Sequence, residues 1–232
     1  MQTIIIPLAG DSSRFFNAGY SMVKYKLPIF NAKPVLWHIL SYIDRESKLL
    51  IVLNAKFNDK TWANNLLIDL GFAHFEIVEV EKTDGQLTTV DLGINNSKII
   101  NKSDSLIIFN GDTIRNIPFN FNFNDTDGLI EVFNQDGDHW SFTDKLGKVG
   151  YVTEKKRISN FCSTGLYGFR SVSLFLKFSN KVKLTNNEKY IIPIYNELIK
   201  EKYNVTSFLS KFNNFTLCGT PMEYELNKNL CK

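Results

Sequence analysis

Ile4-Ile5-Ile6 is a short, continuous apolar run stopped by Pro7 and Gly10, and the recurrence of this pattern constrains the fold more than any other feature. Leu49–Leu53 and Ser105–Phe109 repeat it, and 75–80 is a weaker case. A run without polar alternation, bounded by turn residues, reads as a strand buried on both faces, as in a parallel sheet covered on both sides. Between the runs lie stretches that read as helices, at 34–43, 57–70 and about 86–97. Pro34 suits the first position of a helix and Gly71 the position just past a helix end. The alternation of strand and helix predicts an α/β fold with a doubly wound, mostly parallel open sheet.

After Asp112 the rhythm changes. Residues 127–133, 140–142, 149–153 and 164–169 read as strands separated by Asp-Gly and Leu-Gly turns, followed by a helix over 190–202, two short strands and a last helix from Pro221. A chain of 232 residues is large for one core and small for two, so a single domain with a lesser appendage is expected. A hydrophobic content of 44% with 22% charged residues argues against wholesale disorder. The net charge of +3, with lysines scattered, gives no reason to expect nucleic acid as a partner. Cys162, Cys218 and Cys231 form no CxxC pair and the three histidines are far apart, so no zinc site is expected, and unpaired cysteines suit a reducing compartment. The N-terminal apolar stretch Ile4–Ala9 is too short and too uncharged for a signal peptide, and no run approaches a membrane span. The expectation is a cytoplasmic protein with no membrane partner.

In an open parallel sheet, ligands sit beyond the carboxyl ends of the strands. Two segments fall there. In the first, Leu8-Ala9-Gly10-Asp11-Ser12-Ser13-Arg14-Phe15, small residues leave backbone N–H groups free for phosphate oxygens and Arg14 supplies charge, with Lys24 as a second cation. It is neither a P-loop nor a GxGxxG, and a plain strand-to-helix turn with an exposed arginine is the competing explanation. The second is Asn110-Gly111-Asp112-Thr113, where a carboxylate close to the phosphate loop would let Mg²⁺ bridge protein and triphosphate. Its bland alternative is an Asx turn ending the strand.

Taken together these segments resemble the sugar-phosphate nucleotidyltransferases, or nucleotide-sugar pyrophosphorylases, over nearly the whole chain. Ile5–Gly10 with Ser13-Arg14-Phe15 is similar to the family's phosphate-binding opening, and Lys24-Tyr25-Lys26-Leu27-Pro28-Ile29 to its next segment, whose leading lysine contacts phosphate. Gly85-Gln86, ahead of Thr88 and Thr89, falls where relatives recognise the base, and Gly111-Asp112 matches the metal-binding pair. Glu154-Lys155 resembles the pair that contacts the acceptor and its phosphate, and Thr164-Gly165-Leu166-Tyr167 the strand lining the acceptor pocket, with Asp138, His139 and Trp140 closing over it. The resemblance implies a Rossmann-like nucleotidyltransferase fold, with a nucleotide-binding part at about 1–115 and an acceptor-binding part at about 116–232. It implies a Mg²⁺-dependent transfer from a nucleoside triphosphate to a phosphorylated sugar, polyol or other small metabolite, with release of pyrophosphate. CTP is favoured over UTP or dTTP because short members include cytidylyltransferases of capsule and surface-polysaccharide biosynthesis. Two departures stand out. Asp11 and Ser12 occupy positions where many relatives have glycine, and Cys218 stands where relatives commonly place a second metal-binding aspartate, leaving Asp138 as a candidate substitute. The competing functional readings are a nucleotide-sugar-dependent glycosyltransferase, for which Gly111-Asp112-Thr113-Ile114 lacks the second aspartate of a DxD motif, and a catalytically degenerate nucleotide-binding protein.

Overall fold

The computed structural model describes residues 1–118 and 121–229, so Cys231 lies outside the described residues. In chain order the elements are β1 (Gln2–Leu8), α1 (Ser13–Asn17), α2 (Val35–Ser41), β2 (Lys48–Asn54), α3 (Lys60–Asp69), β3 (Phe75–Val80), α4 (Gln86–Asn96), β4 (Ser105–Phe109) and β5 (Thr113–Arg115). There follow β6 (Gly128–Asn134), β7 (Ser141–Thr143), β8 (Gly147–Lys148), β9 (Val152–Glu154), β10 (Phe161–Phe169), α5 (Val172–Ser179), α6 (Pro193–Lys200), β11 (Val205–Leu209), β12 (Phe215–Leu217) and α7 (Pro221–Asn229).

The main sheet runs β3-β2-β1-β4-β10-β6-β11-β8, with β7 on β10 and β9 on β7. The first four strands are parallel, β10 is antiparallel to both β4 and β6, and β11 returns parallel to β6. The triple-isoleucine run shows why no polar alternation was needed. Ile4 and Ile6 face a core built with α2, α3 and α7, whereas Ile5 faces the opposite core with α4, α5 and α6. Leu49 and Ile51 against Leu50 and Val52 in β2, and Ile107 against Leu106 and Ile108 in β4, divide in the same way. Successive side chains on a strand point to opposite faces, and each one fully buried contributes about 1.5–3 kcal/mol. The sheet is therefore doubly wound. Among the described residues no helix is long and apolar enough to cross a membrane.

The structure departs from the periodicity in three places. Residues 149–153 do not form one strand. Val149 pairs by its N–H with the Val205 carbonyl at 2.8 Å, and the Asp144 side chain then accepts from the Gly150 N–H at 3.0 Å, turning the chain before β9 begins. The helix expected over 190–202 starts only at Pro193, because 185–190 is taken up by a tight turn. Helix α5 was not expected at all, although Ser171 caps it by accepting from the Leu174 N–H at 3.1 Å, and Val172, Phe175 and Phe178 recur at helical spacing.

Candidate functional site

A cleft of about 940 Å³ opens along the carboxyl ends of β1 and β4 and continues over β7, β9 and β10. On one side lies the loop after β1. Ala9, Gly10, Asp11, Ser13 and Arg14 line the cleft. Ser12, with φ 51°, takes the left-handed turn that sends the chain into α1, and its hydroxyl accepts from the Lys24 N–H at 3.2 Å. Leu8 is buried beneath the cleft floor, and its side chain occupies the space a Cβ on Gly111 would need. Leu8 and Ser12 thus stand outside the lining and act on it by packing and by holding the Lys24 segment. Asp11, where more flexible glycine was the expectation, is tied to the Lys82 ammonium at 2.8 Å and accepts from Asn54 Nδ2 at 3.3 Å. That pair joins the first loop to the loop before α4.

Gly111 brings the Asp112 carboxylate to the other side of the same floor, where Lys24 Nζ lies 2.6 Å from Oδ2. β5 pairs antiparallel with β12, and the Cys218 N–H donates to the Asp112 carbonyl at 2.8 Å, which carries the 218–223 segment alongside. A Cβ on Gly219 would lie 3.2 Å from Asp112 Oδ2 and 3.4 Å from Glu223 Oε2, so both carboxylates flank one backbone position. Glu223 is at the third position of α7, where it accepts from the Thr220 N–H at 2.9 Å while its own N–H donates to Thr220 Oγ1 at 3.2 Å. The second acid beside Asp112 is therefore Glu223. Asp138 is not among the residues lining the cleft. Cys218 is buried, and burial, with Asp112 and Glu223 adding to it, pushes its thiol up to about 12, so it stays protonated and inert.

At the end of β3, Gly85 precedes α4 with φ 141°, a conformation closed to other residues, and Gln86 Nε2 donates to Asn110 Oδ1. A Cβ on Gly85 would lie 2.6 Å from the Lys189 nitrogen. Gly85→Ala should therefore cost about 2–3 kcal/mol, read as a fall in melting temperature, through both backbone strain and collision. An unchanged melting temperature would mean the 185–190 turn yields freely.

Across the cleft, the acceptor-side residues converge. Glu154 accepts from the Ser141 hydroxyl, and burial raises its carboxyl above the ordinary range despite that hydrogen bond and the nearby Lys155. Lys155 donates to the Tyr190 hydroxyl, its ammonium lies 4.6 Å from the centre of the Tyr190 ring, and Glu188 Oε2 is 3.5 Å away. Burial alone would lower the Lys155 pKa, but Tyr190, Glu188 and Glu154 together raise it, so the side chain is a firmly held cation. Tyr167, buried in the cleft wall, has its phenol pushed up to about 12 by burial and donates to Ser141 Oγ at 3.5 Å. Trp140 and His139 form one rim, their rings 4.4 Å apart. Gly165, with φ 86°, sits in the bulge between Ser163 and Tyr167, where the Asn110 side chain fills the space a Cβ would take. The Thr164 hydroxyl points away, donating to Glu131 Oε2 at 2.7 Å, so this residue offers the cleft its backbone rather than its side chain.

Residues 9–11, 13, 14, 24, 85, 86, 111, 112, 140, 154, 155, 164 and 165, singled out from the sequence, all line this one cleft. Tyr167, the last residue of the strand segment quoted for the acceptor pocket, lines it as well, whereas sequence reasoning missed Lys82, Ser141, Glu188, Tyr190 and Glu223, which line it too. Only Glu223 carried a readable signal, the Thr220-x-x-Glu223 capping box; the others arrive from strand pairing and a turn.

No family model matches the chain, and no curated protein sequence does. Solved structures do. The nucleoside-diphosphate-sugar pyrophosphorylase from Vibrio cholerae RC9 superposes with a TM-score of 0.90 at 32% identity, covering 97% of this chain and 99% of that one. A putative glucose-1-phosphate thymidylyltransferase from Bacillus anthracis, solved with sucrose, matches with a TM-score of 0.75 at 16% identity over 100% and 95% of the two chains. The inositol-1-phosphate CTP transferase from T. maritima matches with a TM-score of 0.71 at 14% identity over 98% and 95%. At those lower identities the likeness shows the fold alone. With near-complete mutual coverage of the Vibrio protein at 32% identity, and the motif residues gathered in one cleft, the chain belongs to the nucleotide-sugar pyrophosphorylase family of nucleotidyltransferases.

Proposed function

We propose that this protein joins a nucleoside triphosphate to a small phosphorylated sugar, polyol or related metabolite and releases pyrophosphate. The observation that carries the reading is the opposition, within one cleft, of Arg14, Lys24 and Asp112 on the β1–β4 side to Lys155 and Glu154 on the β9–β10 side. The acceptor's phosphate oxygen forms the new bond to the α-phosphorus while the bond from that phosphorus to the bridging oxygen breaks, so pyrophosphate departs in line. Arg14 and Lys24 offset charge that builds on the phosphoryl oxygens, and Lys155 anchors the incoming phosphate. Tyr167 donates to Ser141, which in turn donates to Glu154, so this relay orients the Glu154 carboxyl on the acceptor side. No nucleophilic side chain is required.

The donor set also suits a hard cation. Asp112 and Glu223 offer only carboxylate oxygens, and among the described residues no cluster of three or more His, Cys, Asp or Glu is arranged to hold a metal. Mg²⁺ typically takes one or two protein carboxylates and completes its shell with phosphate and water, and here it would add positive charge at the triphosphate. The use of CTP, a supply role in capsule or surface-polysaccharide synthesis, and action in the cytoplasm belong to the same reading. The 32%-identical pyrophosphorylase supports the transfer itself, and the choice of base, pathway and compartment stands as part of the proposal.

A matrix of four nucleoside triphosphates against phosphorylated sugars, polyols and amino alcohols, read by pyrophosphate release, tests the proposal; silence across the whole matrix with Mg²⁺ present counts against it. Within an active pair, Arg14→Ala should slow turnover by roughly 10²–10³-fold, as for loss of one preorganised charge stabiliser. Lys155→Met should raise the acceptor KM and leave the nucleotide KM nearly unchanged, because it removes the charge and keeps the aliphatic stem. If Lys155→Met weakens the nucleotide instead, the two sides of the cleft have been assigned in reverse.

A further inference from the structure

Lys155 already has a counter-ion. Thr185 and Glu188 exchange backbone hydrogen bonds of 2.8 and 3.0 Å across Asn186 and Asn187, whose φ values of 51° and 63° mark a tight two-residue turn. The next residue, Lys189, is bound by its backbone to both sides of Gly85, donating to the Asp84 carbonyl at 2.8 Å and accepting from the Leu87 N–H at 3.1 Å. The turn is therefore tied at its base to the backbone on either side of Gly85. It holds the Glu188 carboxylate 3.5 Å from the Lys155 ammonium, and the Tyr190 hydroxyl, which donates to Glu188 and accepts from Lys155, links the two. Both charged side chains remain open to the cleft, with 36% and 52% of their side-chain surface exposed.

A phosphate that binds Lys155 must approach the Glu188 carboxylate, a group of the same sign. We propose that Glu188 is the specificity-determining residue of the acceptor site. It disfavours bare phosphate at Lys155 and admits a phosphate ester that also brings a hydrogen-bond donor, a hydroxyl or an amine, to the carboxylate. The acceptor class is thereby narrowed to phosphate esters with such a donor within a few bonds of phosphorus. This rests on Lys155 as the acceptor-phosphate residue.

The test uses methyl phosphate, whose dianion has no donor, and glycerol 1-phosphate, which has two hydroxyls, each titrated calorimetrically into the protein and its variants at about pH 8, well above the second phosphate ionisation. Glu188→Gln is nearly isosteric on a half-exposed side chain, so folding should be unaffected. The variant should bind methyl phosphate about ten-fold tighter, because like-charge juxtaposition is relieved, while glycerol 1-phosphate gains clearly less. The gain for methyl phosphate should vanish in the Glu188→Gln, Lys155→Met double variant. Unchanged or weaker methyl phosphate binding in Glu188→Gln, equal gains for the two esters, or a gain that survives loss of Lys155 each overturn the proposal. If Lys155→Met alone leaves the binding of both esters unaltered, the assignment of Lys155 fails and the proposal falls with it.

Discussion

Asp112→Asn is expected to lower turnover by at least about 10³-fold while the melting temperature stays within a few degrees of wild type. Asp112 follows the carboxyl end of β4 with its carboxylate in the cleft rather than in either core, so the amide can occupy the same place without repacking. What it loses is charge. The ion pair with Lys24 at 2.6 Å weakens to a hydrogen bond from the ammonium to an uncharged amide oxygen, and the oxygen pair formed with Glu223 no longer presents two negative groups to a cation. Two measurements separate these effects: pyrophosphate release under saturating Mg²⁺, and Mn²⁺ titration followed by electron paramagnetic resonance. Turnover near the wild-type rate at saturating Mg²⁺ would sink the metal assignment. Loss of turnover with undiminished Mn²⁺ binding would move Asp112 from holding the cation to positioning Lys24.

Arg115→Met should have the largest effect on stability, a loss of about 3–5 kcal/mol, which for a domain of this size is a fall of roughly 10 °C in melting temperature. Arg115 in β5 and Glu131 in β6 form an ion pair with side-chain exposures of 2% and 1%. Removing the arginine leaves a buried carboxylate that still accepts from the Thr164 hydroxyl but has lost its counter-charge. Replacing both partners, Arg115→Met with Glu131→Leu, should recover much of the loss, because the cost lies in the stranded charge rather than in the missing attraction. Equal melting temperatures for the single and double variants would contradict that account. Because Thr164 also lines the cleft, and β5 pairs with the β12 strand that leads to Glu223, the single variant should disturb the acceptor side and the Asp112 side together.

The nucleotide side was legible because its information is local. A buried strand, a small-residue loop and an acid after the next buried strand are each written in consecutive residues, and an open parallel sheet brings the two strand ends together by its own geometry. Glu154 and Lys155 were recovered through resemblance to the family. Glu188 and Tyr190 were not, since they reach Lys155 only by way of a turn built on two left-handed asparagines some thirty residues later. Glu223 was hidden for a different reason. The family pattern puts the second acid at position 218, and the capping box that ends at Glu223, three residues beyond Thr220, reads first as a helix start. Thr164 shows the opposite error: its residue lies in the cleft wall, but the hydroxyl is committed to Glu131, and no sequence pattern distinguishes the two faces of a bulged strand.

The insertion of β10 between β4 and β6 also governs how this chain must be made. Ser105–Ile108 pair on one side with β1, while the other edge of β4, Leu106–Phe109, is matched by Leu166–Phe169, about sixty residues later. As the chain leaves the ribosome, β1 to β4 can assemble first and will present that apolar edge unpaired until the later strand is synthesised. Such an edge is a template for pairing with another chain, and long-range pairings of this kind form slowly. A fragment ending near residue 115 should consequently aggregate rather than fold, and expression yield should depend on temperature and chaperone supply more than the stability of the finished protein would suggest.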